Sequence, residues 1–185
     1  MPRRSKPEER AYWIAWVFAT STTGILAGFL VGHCVILGRF FTWMAASGRQ
    51  PLLGETYATF RQEQGVRAYL ALLVLQTLAT LLFLAAGLLR RRRVGIEAIP
   101  ALASPLWYAV HFASGFAVIE PAVVGGLHAV PPDLTARFVS LNLPVHLFAT
   151  GLMLVAFSVL LSIPLGRHGP ALAHGQIAVS TGKIA

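Results

Sequence analysis

Three histidines and one asparagine lie inside long apolar segments, where each polar side chain needs a partner. His33 lies in the first such segment and His111 in the third. Asn142 and His146 lie in the fourth and, with Thr150, recur at every fourth position, so they share one face of a helix. Ionisable groups are costly to bury in hydrocarbon and mark functional sites there by default. These residues are therefore the first candidates for chemistry.

Imidazoles on three separate helices could bind a metal ion or haem iron, because imidazole nitrogen suits Zn, Cu and Fe alike. No HxxxH or HExxH pair places two ligands on one helix face. A metal ion or haem held by His33, His111 and His146 is therefore not expected by default, and the cofactor stays open. A single buried histidine more often bridges helices through hydrogen bonds, and that interpretation is favoured.

Glu120 carries a carboxylate near the end of the third apolar segment, and Arg39 follows the first. An interfacial ion pair between these two side chains is the simpler interpretation. A proton donor or acceptor facing His146 is the alternative. The candidate catalytic residues are His33, His111, Glu120, Asn142 and His146.

Four apolar runs are long enough to position these residues across a membrane. The chain is 56% hydrophobic and only 12% charged, unlike a soluble domain. A bilayer core needs about 20 apolar residues in a helix. The runs cover residues 12–37, 69–89, 99–124 and 138–165. They predict an all-α bundle of four transmembrane helices in one domain, residues 1–165, followed by a loosely ordered tail, residues 166–185.

Basic residues predict the orientation of the bundle and its surroundings. Lys and Arg are more frequent in the N-terminal segment, the loop at Arg90–Arg93 and the tail than in the other loops, which predicts that both termini are cytoplasmic. The net charge is +8, and the basic residues lie beside the apolar runs, where they can contact anionic lipid headgroups. The expected partner is therefore the lipid bilayer, and no nucleic acid is expected. We expect the chain in the bacterial inner, cytoplasmic membrane.

Small residues recur at four-residue spacing on two of the predicted helices. Gly24, Gly28 and Gly32 lie on one face of the first helix. The third helix repeats the spacing with Ala109, Ala113 and Ala117. Such stripes allow close backbone approach in lipid. Packing within the bundle is favoured, and a homo-oligomer or a contact with another membrane subunit through the glycine stripe is the alternative.

The layout of the chain resembles the four-helix DUF1772 or anthrone-oxygenase-like membrane proteins. The similar features are a glycine-rich first helix leading into GHCVILGRFFTW, an amphipathic loop segment with YATFRQ, and a closing helix entered through LNLPVHL. The amphipathic segment is expected to form a short helix over the outer ends of the bundle. The resemblance implies a small bundle that in some members oxidises a polyketide anthrone with dioxygen, with no established cofactor. It implies roles for Asn142 and His146.

Three functions are compatible with these features. An accessory or structural membrane subunit packed through glycine and alanine seams is favoured, because it needs no active site. The alternative is a membrane oxygenase or other redox enzyme acting on a lipophilic substrate in an outer-half cavity lined by histidine and asparagine. A transporter is third, because neither an inverted repeat nor a broken helix is expected.

Overall fold

The computed structural model describes residues 7–61, 63, 66–91, 94–126 and 130–175, except the side chains of 66, 91 and 166–175. Within these ranges the chain is 91% helical and has no strand, which confirms the all-α class. The elements are α1 Pro7–Gly32, a π-helical turn His33–Leu37 (the π-turn), α2 Gly38–Ala46, α3 Gln50–Phe60, α4 Val66–Arg91, α5 Ala98–Ala113, α6 Phe116–Val124 and α7 Pro132–Gly175.

Three of the described helices are long and apolar enough to span a membrane. They are Pro7–Ala46, which joins α1, the π-turn and α2, together with Arg67–Arg90 and Pro132–Leu165. At about 1.5 Å per residue, the 40-residue first helix is about 60 Å long, twice the thickness of a bilayer core. It therefore extends well beyond residue 37, where the predicted first span ends.

The third predicted span is broken, and the expectation of one continuous helix over 99–124 is wrong. Gly115 has φ +75°, a left-handed conformation that ends α5, and α6 continues at 74° to it. The Ser114 hydroxyl donates to the His111 carbonyl oxygen and accepts from the Phe116 amide across the break. With 16 residues, α5 is only about 24 Å long and does not cross a bilayer core alone.

Helices α1, α4, α5 and α7 pack in a ring, and the shorter helices cover one end of it. α1 packs between α4 and α7, and α5 closes the ring against α7 and α4. We call α2, α3, α6 and the start of α7 the cap, and the opposite end of the ring the basal end. The cap has its own apolar core, which includes Phe41, Leu53, Phe116 and Phe138. Separate cores fill the middle of the ring and its basal end.

The surface of the ring carries large apolar side chains that point outward. Ile25, Leu82 and Leu89 are 61%, 65% and 77% exposed, and many further Leu, Val and Phe side chains are similarly exposed. A water-soluble monomer rarely shows so continuous an apolar surface. The surface is compatible with a lipid environment.

The glycine stripe of α1 packs only in part within the bundle. A Cβ at Gly24 would lie 2.8 Å from the Phe157 ring on α7. At Gly28 and Gly32 a Cβ would meet no described atom within 4 Å, and Ala109 and Ala113 of the alanine stripe are exposed. The favoured interpretation of an internal seam therefore holds at Gly24 alone.

Arg90, the first residue of the arginine cluster, lies at the basal end. The Arg90 guanidinium lies 4.9 Å from the Tyr12 ring centroid and 3.8 Å from the Glu9 carboxylate, whereas Arg92 and Arg93 lie outside the described residues. α7 continues to Gly175, into the segment for which loose order was expected, and residues 176–185 are outside the described part of the chain.

Candidate functional site

The three histidines of the predicted spans come together around Phe116, at the edge of the cap. The His33 and His146 rings stack with centroids 4.0 Å apart and planes 28° apart. The edge-on Phe116 ring lies 5.6 Å from His146 and 5.5 Å from His111. We call His33, His111, His146 and Phe116 the histidine cluster. It joins the π-turn, α5, α6 and α7 at the point where the third predicted span breaks.

The hydrogen bond of His146 defines which of its ring nitrogens carries the proton. Its Nδ1 lies 2.8 Å from the backbone carbonyl oxygen of Asn142, one turn earlier in α7. A carbonyl oxygen only accepts, so Nδ1 must donate and the lone pair of the neutral ring lies on Nε2. An imidazole oriented in this way, with its lone pair on Nε2, has the form required of a general base.

The π-turn places His33 against Gly38. The Gly38 amide donates to the His33 carbonyl oxygen, which closes the wider turn of a π-helix. A Cβ at Gly38 would lie 3.2 Å from the His33 Cδ2 and 3.3 Å from its Nε2. The imidazole therefore lies close to the bare α-carbon of Gly38 and also stacks on His146.

Asn142 supports this arrangement from α7. Its side-chain Nδ2 donates to the Gly38 carbonyl oxygen at 2.9 Å and to the Thr42 hydroxyl at 3.0 Å. Asn142 is only 1% exposed. The amide group proposed from the sequence for chemistry is thus engaged with the backbone that follows His33.

Three buried ring nitrogens near the cap have no hydrogen-bond partner among the described residues. They are His33 Nε2, His111 Nδ1 and Trp107 Nε1. His33 and Trp107 are 8% and 4% exposed, and the Trp107 ring lies 6.4 Å from that of His111. Buried polar atoms in folded proteins are almost always paired. These nitrogens are therefore available to a water molecule or a bound ligand.

A polar chain links the π-turn to the backbone of His146. The Thr150 hydroxyl donates to the His146 carbonyl oxygen at 2.7 Å, so its oxygen accepts from the Cys34 thiol at 3.3 Å. Cys34 is buried and is a free thiol. This chain holds the π-turn against α7, next to the stacked rings.

Glu120 lies on α6, half-buried, on the His111 side of the cluster. It is within electrostatic range of His111 and Tyr69. In the cap, burial raises the pKa of the Tyr57 phenol, Arg61 opposes the shift and Glu120 adds to it. No ion pair joins Glu120 to Arg39 in the described part of the chain, so the simpler interpretation of this pair is wrong.

The geometry of the histidines does not form a metal site. Among the residues that the structure describes, no group of three His, Cys, Asp or Glu side chains is placed to hold an ion. Stacked rings direct their in-plane lone pairs along nearly parallel planes, so His33 and His146 cannot converge on one metal ion.

Two further polar sites were not predicted from the sequence. In the middle of the ring, the Gln76 amide donates to Thr23 and its carbonyl oxygen accepts from Ser104. At the basal end, the Tyr12 hydroxyl donates to the buried Glu97 carboxylate at 2.9 Å. A glutamine inside a long apolar run was a signal for the first site. Glu97 lies between two predicted spans and gave no signal of burial.

No family model, curated protein or solved structure matches this chain. The functional interpretation therefore rests on the geometry of the chain itself.

Proposed function

We propose that this protein is a membrane oxidoreductase that oxidises a lipophilic, hydroxyl-bearing aromatic substrate with dioxygen at the histidine cluster. The observation that carries the proposal is the pair of buried, unpaired imidazole nitrogens, His33 Nε2 and His111 Nδ1. These two nitrogens are buried on different segments of the bundle without a described partner, which costs stability and is therefore best explained by a ligand.

The proposed chemistry follows the layout resemblance to anthrone-oxygenase-like proteins. His146 Nε2 removes a proton from the acidic CH₂ group of an anthrone, and His33 and His111 bind its oxygen substituents. The carbanion is then oxidised by dioxygen. In the balanced reaction, the CH₂ group becomes C=O, one oxygen atom of O₂ enters the carbonyl and the other leaves as water with the two hydrogens.

The same proposal includes a position in the membrane. About 20 residues, the length that crosses a bilayer core, separate Trp13 from His33 on the first helix. If the basal end is cytoplasmic, as the basic residues near it favour, the histidine cluster lies at the outer boundary of the hydrocarbon of a bacterial inner membrane. A lipophilic substrate would then reach it from the outer leaflet.

The test is turnover of a dihydroxyanthrone by the purified protein in detergent, followed by oxygen uptake and by the absorbance of the anthraquinone product. We expect catalysed uptake that His146→Leu abolishes. The matched control is Phe148→Leu, since Phe148 is exposed on the same helix and lies two residues from His146, on a different face. Equal rates for the wild type, His146→Leu and a protein-free blank would reject the proposed reaction.

A second candidate function is that of an accessory subunit, and the exposed part of the glycine stripe favours it. Gly28 and Gly32 have open space where a Cβ would be, and Ile25 and Val35 on the same surface are 61% exposed. Bare backbone on a helix face allows another helix to approach closely in lipid. A second copy of this chain or a different membrane subunit would fit there.

Crosslinking in native membranes tests the accessory function. Cysteines introduced one at a time at 28 and at 32 should each give a specific crosslinked product, and leucine at the other of these two glycine positions should remove it. Cysteines at the exposed positions 78 and 82 of α4 are the control. Crosslinking of equal strength at both pairs would show random collision and would contradict the accessory function.

A further inference from the structure

We infer that the π-turn is a positioning device for the His33 imidazole, and that Gly38 and Asn142 are the positioning residues that hold it. The inference deepens the proposed function and rests on it for its consequence in catalysis. The geometric part is independent of any reaction, since it concerns only where the His33 ring lies.

The first step is the shape of the turn. A π-helical turn contains one residue more than an α-helical turn, and such turns are rare and frequently lie at functional sites. Here the turn begins at His33 and closes with the Gly38 amide on the His33 carbonyl oxygen. The extra residue changes the direction of every side chain that follows relative to α1, so Phe41 of α2 faces the His33 ring, with centroids 6.2 Å apart.

The second step is the space for the ring. Contacts of 3.2 Å and 3.3 Å from a Cβ at Gly38 to the His33 ring are tighter than ordinary packing, and the His33 carbonyl oxygen would lie equally close, at 3.2 Å. A side chain at 38 must therefore move the imidazole or open the turn. His146 stacks on one face of the ring, so movement toward α7 is blocked.

The third step is the anchor on α7. The side-chain Nδ2 of Asn142 donates to the Gly38 carbonyl oxygen. The backbone carbonyl oxygen of Asn142 accepts from His146 Nδ1. One residue thus fixes both stacked histidines, the first through the backbone at Gly38 and the second directly. The ring of His33 is held by packing and by this anchor, while its Nε2 is left without a described partner.

The experiment uses the full chain in detergent with isotope-labelled histidine and reads the imidazole nitrogen resonances by NMR. His33→Gln identifies the His33 signals. The test variants are Gly38→Ala and Asn142→Leu. Gly28→Ala is the matched control, because it adds the same methyl group to open space on α1, more than one turn away from His33. Gly24→Ala is the packing control, because its methyl group collides with Phe157 far from His33.

We expect Gly38→Ala and Asn142→Leu to shift the His33 resonances, and Gly28→Ala and Gly24→Ala to leave them in place. In the dihydroxyanthrone assay, the two test variants should lower kcat/KM about 100-fold, the scale of a misplacement by about 1 Å. His33 resonances that stay at their wild-type positions in Gly38→Ala, or that move as far in Gly24→Ala, would overturn the inference.

The two failures are distinguishable. If the wild type does not oxidise the anthrone, the proposed reaction is rejected, and the resonances still decide whether Gly38 and Asn142 position His33. If the wild type is active and the resonances do not move, the reaction stands and the positioning role is rejected.

Discussion

The central polar site and the histidine cluster are both buried between helices, but they use their hydrogen-bonding capacity differently. At the centre, Gln76 of α4 donates to Thr23 of α1 and accepts from Ser104 of α5, and its backbone carbonyl oxygen accepts from Thr80. Near the cap, His33 Nε2 and His111 Nδ1 have no partner among the described residues. Both sites join at least three helical segments.

This difference separates a site that holds the fold from a site that is available to a ligand. Interhelical hydrogen bonds in membranes contribute about 0.6 kcal/mol each on average, and a satisfied cluster contributes the sum of several. A buried polar atom without a partner carries a desolvation cost of about 1–3 kcal/mol instead. Substitutions in the central polar site should therefore lower stability more than activity, and substitutions in the histidine cluster should lower activity more than stability.

The largest effect is expected for catalysis at the histidine cluster. Removing the oriented base with His146→Leu should lower kcat/KM for a dihydroxyanthrone by about 100-fold or more, the usual contribution of a general base. The measurement is initial oxygen uptake at several substrate concentrations. A His146→Leu protein with wild-type kcat/KM would remove the distinction between the two sites.

The next effect is a loss of stability at the central site. Gln76→Ala should lower the free energy of unfolding by about 2–4 kcal/mol, because it leaves a cavity and unpaired hydroxyl groups on two helices. The more conservative Gln76→Leu fills the cavity and should cost roughly half as much. Reversible unfolding in mixed detergent measures both, and equal costs for the two variants would show that packing volume contributes nothing there.

A moderate effect is expected at the basal end, where the paired arrangement resembles that of the central site. Tyr12→Phe keeps the ring against Phe83 but removes the hydroxyl that donates to Glu97, at a cost of about 1 kcal/mol in unfolding free energy. Oxygen uptake should not change. If turnover fell with stability unchanged, the basal end would belong with the histidine cluster.

The smallest effect on stability is expected at His33. His33→Leu replaces an unpaired imidazole by an apolar side chain of similar volume, so the unfolding free energy should change by less than about 0.5 kcal/mol or should rise. The same variant should lose activity. A loss of several kcal/mol on unfolding would mean that His33 holds the fold as Gln76 does, and would contradict the comparison.

Much of the fold was predictable from the sequence because apolar length is a local property. The runs at 12–37, 69–89 and 138–165 correspond to long helices, and the segment around Tyr57 and Phe60 forms α3. The break at Ser114–Gly115 was missed because a glycine inside a membrane helix is common and its φ depends on what packs around it. The same limit applies to the π-turn, which contains no helix-breaking residue.

The candidate site was predictable as residue types but not as contacts. His33, His111, Asn142 and His146 were identified as polar groups in apolar runs, and three helices bring their histidines together. The role of Asn142 required coordinates, because whether its amide is free or engaged with Gly38 depends on the distance between α7 and the π-turn. The expected Glu120–Arg39 ion pair failed for the same reason. Two residues at the same level of the bundle pair only if their helices are neighbours, and the sequence does not show which helices are neighbours.

The sequence by itself determined that the chain is helical, apolar on long segments and polar at a few internal positions, because these properties follow from composition and from the 3.6-residue period. Only the tertiary structure decided that His33 stacks on His146, that Gly28 and Gly32 remain uncovered, and that α5 bends into α6. The physical reason is that each of these features depends on how distant segments pack against one another, and that packing is set only when the whole bundle assembles.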